Sequence, residues 1–248
     1  MTYGDSDSHS ALVMNLLVIV PAFNEAASIA YVIATLRSHG YDVLVVSDGS
    51  INDTADIAST SRAQVLRLVL NLGVGGALRA GFAYARDQGY DAVVQVDADG
   101  QHPVHQIADL VAAANDTGAD MVIGSRYLSP DACLKPGVLR RLAMWLLART
   151  ALRAAATRIT DSTSGFRLIR EPLLGEFSRH FSSYYLGDTF EAVVAAGRAG
   201  YRIVEIPAAL APRMHGNSTS SSVRSIVLIT KVLMLSTLRF HHRLNPRQ

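Results

Sequence analysis

Asp97 and Asp99 stand two residues apart at the end of an apolar run, in Val-Gln-Val-Asp-Ala-Asp-Gly-Gln-His-Pro. Two carboxylates leaving a strand into a tight turn offer hard oxygen ligands to a divalent cation. Mg2+ accepts one or two such carboxylates and completes its shell with phosphate oxygens and water. Asp and Gly also favour solvated turns, so the pair taken alone fits either reading.

Three more loops carry residues able to bind a phosphorylated ligand. In Ser-Asp-Gly-Ser-Ile-Asn-Asp-Thr (47–54), Asp48 is placed to accept hydrogen bonds from a ribose hydroxyl or a base N–H. Asn52, Asp53 or Thr54 suits the cap of a following helix, and Asp53 is evenly balanced between cap and ligand. Residues 71–76, Asn-Leu-Gly-Val-Gly-Gly, lie before a helix, where backbone N–H groups approach a diphosphate. Close packing of helix on strand explains those glycines equally. Position 78 is Leu, which breaks G-x-G-x-x-G, and no Gly-Lys-Ser/Thr is present, which argues against NAD enzymes and P-loop ATPases. In Pro-Ala-Phe-Asn-Glu (21–25), Glu25 also complements the positive start of a helix. Arg126, Arg167 and Arg213 are each able to bind a phosphate bidentately or to pair with a carboxylate.

These loops need a scaffold that brings them to one edge. Apolar β-rich runs at 16–20, 42–47, 65–69, 91–96 and 121–123 predict strands. Patterns at 26–39, 54–61, 75–87 and 104–115 predict helices between them. The strands are continuous rather than alternating, as in a sheet covered on both faces. Strand–helix alternation implies a mainly parallel sheet in an α/β domain, whose ligands sit beyond the C-terminal strand ends. All four loops follow that rule, and their coincidence reverses the odds on the Asp97–Asp99 pair. After Tyr127 the regularity stops: a loop at 129–137, a long helix at 138–157, the segment 161–169, a helical stretch at 187–199, a strand at 201–206 and a terminal helix at 223–240.

The bulk numbers narrow the class. A chain of 248 residues suits one large α/β domain, and 49% hydrophobic with 18% charged residues excludes disorder. A net charge of +2 gives no electrostatic reason to propose nucleic acid as a partner. The single cysteine, Cys133, forms no internal disulfide, in keeping with a reducing compartment. Residues 1–10 lack the positive start of a signal peptide. The apolar runs 11–23 and 226–238 are broken or charged, and shorter than the about 20 residues a spanning helix needs. A cytoplasmic protein, soluble or peripheral on the membrane face, is the expectation.

Together the motifs V-I-V-P-A-F-N-E, D-G-S-x-N-D-T, N-L-G-x-G-G-A-L-R-A-G, V-D-A-D-G-Q-H-P, I-G-S-R-Y, S-G-F-R and R-M-H-G-N-S, spread over 16–222, resemble family 2 glycosyltransferases. Within them they are most similar to the dolichyl- or polyprenyl-phosphate sugar synthases. The resemblance implies one nucleotide-sugar-binding domain of GT-A type at 13–222. Outside it, the residues themselves read as a disordered tail at 1–12 and an apolar, basic C-terminal amphipathic helix within 223–248. Pro21, Phe23, Asn24, Glu25 and Asp48 would contact the nucleoside of a UDP- or GDP-sugar, with Gly73 and Gly76 also on the donor side. Asp97, Asp99 and Gln101 would form the site for Mg2+ or Mn2+ and the diphosphate. Arg126, Arg140 and Arg213 would contact phosphates, including that of a polyprenyl phosphate acceptor. Ser218 belongs to the same stretch as Arg213. Thr219 replaces the lysine usual there, no Q-x-x-R-W of processive synthases is present, and the transmembrane helices that large synthases carry after the catalytic domain are not found.

Transfer to a lipid phosphate, with inversion at the anomeric carbon, needs no strong base, because the attacking oxygen is already anionic. A hydroxyl acceptor needs one, and Asp188 in Leu-Gly-Asp-Thr-Phe-Glu is the candidate. Its alternative is a helix N-cap paired with Glu191. Arg141, Trp145, Arg149 and Arg153 recur every four residues, and Arg224, Lys231, Arg239, Arg243 and Arg247 mark the terminal segment. Both patterns suit an anionic membrane surface or a membrane-protein partner, and both suit a helix packed on the domain.

Overall fold

The computed structural model of the chain describes residues 14–128, 159–181, 188–211 and 244–247. Their elements run β1 (Leu16–Ala22), α1 (Ile29–Ser38), β2 (Asp42–Asp48), α2 (Thr54–Thr60), β3 (Gln64–Leu68), α3 (Gly73–Asp87), β4 (Ala92–Gln95), a 3-10 turn (Val104–Gln106) and α4 (Ile107–Thr117). Then come β5 (Met121–Ser125), β6 (Arg167–Arg170), α5 (Leu173–His180), α6 (Asp188–Arg198) and β7 (Ile203–Pro207).

The continuous apolar strands are buried on both sides, as expected. Leu17 and Ile19 of β1, with Leu44 and Val46 of β2, face one layer with Leu78 and Phe82 of α3 and Phe177 of α5. Their neighbours Val18, Val20, Val43 and Val45 face the other layer, with Ile29, Ile33 and Leu36 of α1 and Ile107 and Leu110 of α4. Alternate side chains of one strand thus enter two cores, the mark of a three-layer α/β/α arrangement.

The seven strands lie in the order β3-β2-β1-β4-β6-β5-β7. β1 pairs in parallel with β2 and β4, β2 with β3, and β5 with β7. β6 runs antiparallel between β4 and β5. Its first residue, Arg167, is level with both Gln95 and Ile123, near the C-terminal ends of their strands. The chain entering β6 therefore crosses the edge where the parallel strands end.

Several boundaries differ from expectation, each with a cause. α1 begins three residues late because 26–28 form a turn in which the Ser28 and Ile29 N–H groups bond the Glu25 carbonyl. β3 stops at Leu68, and Val69, expected within it, is 94% exposed. α3 begins at Gly73, whose φ of +79° ends the preceding loop. β6 is four residues long and α5 eight, too short for a periodic signature. The loop at 129–137, the helices expected at 138–157 and 223–240, the tail 1–12, Arg140, Arg213 and Ser218 lie outside the described residues. No helix among the described residues is long and apolar enough to cross a membrane.

The last described residues dock on the domain. Leu244 joins the core, and the Arg247 N–H bonds the Ala199 carbonyl. Arg247 Nε lies 3.3 Å from the buried Asp120 carboxylate, so this arginine of the expected membrane cluster is paired within the fold. Asn245 donates its N–H and its Nδ2 to the two oxygens of Glu176, each at 3.0 Å. Burial opposes ionisation of Glu176, but the Asn245 bonds, then His180 and Arg179, outweigh it and hold the carboxyl below its ordinary range. A depressed carboxyl stabilises the fold above its unfolded value and loses that contribution as the pH falls through its folded value. Glu176→Gln is expected to lower the urea midpoint at neutral pH and to converge with wild type in acid. A pH-independent difference would show that ionisation of Glu176 does not matter.

Candidate functional site

The first three strand-to-helix loops are laced into one unit. Asn24 has a φ of +58°, a left-handed conformation that Asn tolerates better than most residues. It donates its N–H to Ser50 Oγ at 3.1 Å and accepts the Ile51 N–H on Oδ1 at 3.0 Å. Gly49, at φ +65°, lies so close to the third loop that a Cβ would come within 2.5 Å of the Asn71 nitrogen. Asp48 is buried and accepts the Leu72 N–H on Oδ1 at 2.7 Å, while Oδ2 takes no hydrogen bond among the described residues. Asp48 therefore both ties two loops together and keeps one acceptor.

The remaining donor-side candidates divide. Phe23 is exposed. Pro21 sits within β1 opposite Val46. Glu25 accepts the Ser28 hydroxyl at 3.0 Å, in keeping with its helix-start alternative. Asn52 accepts the Thr54 N–H at 3.2 Å in the turn before α2, whereas Asp53, at the N-cap, makes no side-chain capping bond. Gly73 donates its N–H to Asn71 Oδ1 at 3.1 Å. At Gly76 a Cβ would meet the Leu72 side chain at 2.4 Å, so close packing needs that glycine.

Beyond β4 lies the acidic loop. Asp97 has a half-exposed side chain at 41%. Its Oδ1 accepts Gln95 Nε2 at 3.4 Å, and its N–H donates to Nδ1 of the buried His102 at 3.0 Å. Gly165 leaves the room: a Cβ there would stand 3.1 Å from both Asp97 oxygens. Asp99 is buried and accepts the Gln101 N–H at 3.0 Å. Gln101 is stitched to the stretch after β7, donating Nε2 to the Ala211 carbonyl at 3.1 Å and accepting the Ala211 N–H on its own carbonyl at 2.9 Å. No cluster of three or more His, Cys, Asp or Glu among the described residues would hold a metal on its own. Two strand-end carboxylates do fit an Mg2+-like ion that takes the rest of its shell from phosphate and water, and do not fit a closed structural site.

The stretch leading into β6 delivers a second network. Asp161, fully buried, takes Arg126 Nε at 2.7 Å and Nη2 at 2.8 Å as a bidentate pair and also accepts the Arg126 N–H at 3.2 Å. Thr163 Oγ1 accepts Nη2 at 2.9 Å. Burial opposes the Arg126 charge, yet Asp161 above all, then Tyr127 and Asp97, raise its pKa further. Behind this pair, Glu205 of β7 accepts the Asp161 N–H at 2.6 Å and the N–H and hydroxyl of Thr160 at 2.7 and 2.9 Å. Burial holds Glu205 above the ordinary glutamate range despite these bonds. The buried Arg167 donates Nε to Gln95 Oε1 at 3.0 Å and Nη1 to the Thr189 carbonyl at 3.4 Å. Asp188 opens α6, one residue before that carbonyl.

One edge of the sheet thus brings together Asp48, Asp97, Asp99, Gln101 and Arg126. Sequence reasoning passed over Gln95, His102, Asp161 and Glu205 as site residues. A glutamine inside the apolar run Val-Val-Gln-Val was the visible signal for the first. Arg126 lies 35 positions from Asp161 and Glu205 lies 44, and no local pattern announces either pairing.

Comparison with known proteins shows the family. The family model described as glycosyl transferase family 2 matches residues 17–177. The chain is 33% identical over 216 residues to the undecaprenyl-phosphate mannosyltransferase of Micrococcus luteus, covering 84% of this chain and 88% of the relative. It is 31% identical over 220 residues to the polyprenol monophosphomannose synthase of Mycolicibacterium smegmatis, covering 83% and 80%. Glucosyl-3-phosphoglycerate synthase of Mycobacterium tuberculosis, in complex with Mg2+ and UDP, superposes with a TM-score of 0.66 at 22% identity, over 91% of this chain and 79% of that one. That likeness bears on the fold.

The Arg126–Asp161 pair generates a test of the corner. Asp161→Asn keeps the shape but leaves a mostly buried guanidinium without its counter-charge, and is expected to lower stability by about 2–4 kcal/mol. Thr163→Ala removes one neutral acceptor and should lower it by about 1 kcal/mol. Urea denaturation measures both. Equal midpoints for Asp161→Asn and wild type would mean that the ion pair does not hold the corner.

Proposed function

The chain belongs to glycosyl transferase family 2, and from that premise we propose transfer of a sugar from a UDP- or GDP-sugar to a polyprenyl phosphate, with inversion at the anomeric carbon. The observation that carries this reading is the meeting of the Asp97–Asp99 pair and the pinned Arg126 at the edge bearing the Asp48 loops. The two relatives named for polyprenyl acceptors support the acceptor class.

In this reading the laced loops receive the nucleoside. Phe23 offers an exposed ring, Asp48 the open Oδ2, and Asn24 holds the loops in register, with Pro21, Glu25, Gly73 and Gly76 framing them. Asp97 and Asp99, with the Gln101 side chain beside them, would hold Mg2+ or Mn2+, which when bound neutralises charge on the leaving diphosphate. Arg126 contributes a cation already fixed by Asp161, so its charge needs no reorganisation when the acceptor phosphate arrives. Its Nη1 takes no partner among the described residues. Arg140, Arg213 and Ser218 are proposed to assist at that phosphate. Ala211, bonded to Gln101, lies two positions before Arg213. Approach to a lipid acceptor implies peripheral contact with a membrane.

A second reading keeps the donor chemistry but gives it a hydroxyl acceptor, with Asp188 as base. The bond from Arg167 to Thr189 favours it, because it ties the start of α6 to the Gln95–Asp97 side of the sheet.

The test is sugar transfer from radiolabelled UDP- and GDP-sugars to polyprenyl phosphate with Mg2+ or Mn2+. Labelled lipid is expected, and Asp99→Ala should reduce it by roughly a hundredfold or more. Asp188→Asn should leave lipid labelling largely intact. Donor hydrolysis without labelled lipid, abolished by Asp188→Asn, would replace the first reading with the second.

A further inference from the structure

We propose that His102 is a positioning residue that holds the main chain of Asp97 through its N–H and so fixes where the Asp97 carboxylate meets a metal ion. The inference rests on the reading of Asp97 as a metal ligand.

The ring is buried within the loop that follows β4. Nδ1 accepts the Asp97 N–H at 3.0 Å, and Nε2 lies 3.5 Å from Asp97 Oδ2. Because Nδ1 uses its lone pair as an acceptor, the proton of a neutral ring is on Nε2, whose N–H points away from Nδ1; the 3.5 Å approach of Oδ2 is therefore a contact along the ring edge and not a second hydrogen bond. The ring therefore fixes the Asp97 main chain and lies along its carboxylate, which narrows the side-chain orientations open to Asp97. Gln95 Nε2 approaches the other oxygen at 3.4 Å, and the bare Gly165 closes the remaining side.

The ring in turn is held. It packs against Phe166, with centroids 5.2 Å apart. Phe166 is fully buried over Gly124, where a Cβ would fall 2.4 Å from the Phe166 ring. A side chain that only filled space beside Phe166 would not require an acceptor facing the Asp97 N–H. Groups that orient a metal-binding carboxylate typically alter metal affinity or activity about ten- to a hundredfold when removed.

Two amide substitutions separate the hydrogen bond to the Asp97 N–H from packing. The Oδ1 of His102→Asn falls where Nδ1 stands and can still accept the Asp97 N–H. The amide of His102→Gln falls near Nε2 and cannot. Mn2+ binding by the full chain in the presence of UDP or GDP, read from the electron paramagnetic resonance of free Mn2+, is expected to weaken about tenfold or more in His102→Gln and to stay within about threefold in His102→Asn. Equal affinities in the two variants, or the reverse order, would overturn the proposal. Independently of metal, 15N NMR of histidine-labelled protein should show His102 as the Nε2–H tautomer, identified by the signal missing in His102→Asn. An Nδ1–H ring would overturn the proposal. Wild-type protein that binds no Mn2+ with either nucleotide would overturn the metal reading beneath it, a result distinct from the two variants behaving alike.

Discussion

A buried arginine at the start of β6 organises the second half of this fold. The Arg167 side chain is fully enclosed, and an enclosed guanidinium is tolerated only with hydrogen-bond acceptors around it. Gln95 Oε1 from β4 and the Thr189 carbonyl from α6 supply two, and the Phe181 ring lies 5.9 Å from its carbon. These partners come from β4, α6 and the residue that follows α5, so the guanidinium meets them only when β6 sits beside β4 with α6 against it. The antiparallel register of β4 and β6, with Arg167 level with Gln95, is the arrangement that permits it.

From that placement the rest of the edge follows. A strand running against its neighbours begins where they end, so residues 159–166 cross the C-terminal edge before entering the sheet. Glu205 captures the backbone at Thr160 and Asp161, and Asp161 captures Arg126. Ser164 bonds the Gly124 carbonyl at 2.7 Å and closes the corner. Without the crossing, Arg126 would be an arginine on a strand-end loop with no reason to hold one direction. With it, the guanidinium is fixed in a partly enclosed place where its field is less screened than in open solvent.

The half of the fold built from parallel β-α units was legible in the sequence because each strand carries its own signal. Leu16–Ala22 is apolar without interruption, Asp42–Asp48 has the unbroken apolar centre 43–46, and helices such as Gly73–Asp87 bury a periodic face. That regularity also located the loops, since a parallel sheet places every strand-to-helix loop on one edge. What was not legible is what depends on partners far along the chain. Arg167–Arg170 is four residues long, and its position between β4 and β5 follows from pairing that no local spacing records. Arg126 reads from the sequence as a phosphate ligand or, more readily, as a surface or ion-paired arginine, and it is ion-paired, with no hydrogen bond from Nη1 among the described residues. Asn24 was assigned to the nucleoside through family resemblance, but its bonds to Ser50 and Ile51 depend on a loop 26 positions on.

The same geometry sorts the carboxylates of this edge by what each has left to offer. Glu205 receives three donors at 2.6 to 2.9 Å, and Asp161 has both oxygens in short bonds to Arg126, so both serve the structure. Asp48 has one oxygen committed to Leu72 and one without a hydrogen bond among the described residues, which suits a single directed bond to a ligand. Asp97 differs in kind. Its carboxylate is half exposed and its neighbours stand off at 3.4 and 3.5 Å, near enough to orient it and too far to satisfy it. A carboxylate held in direction but left short of strong donors is the form in which a protein presents an oxygen to a hard cation. Bond lengths and exposure, rather than residue type, therefore distinguish Asp97 from the acidic residues around it.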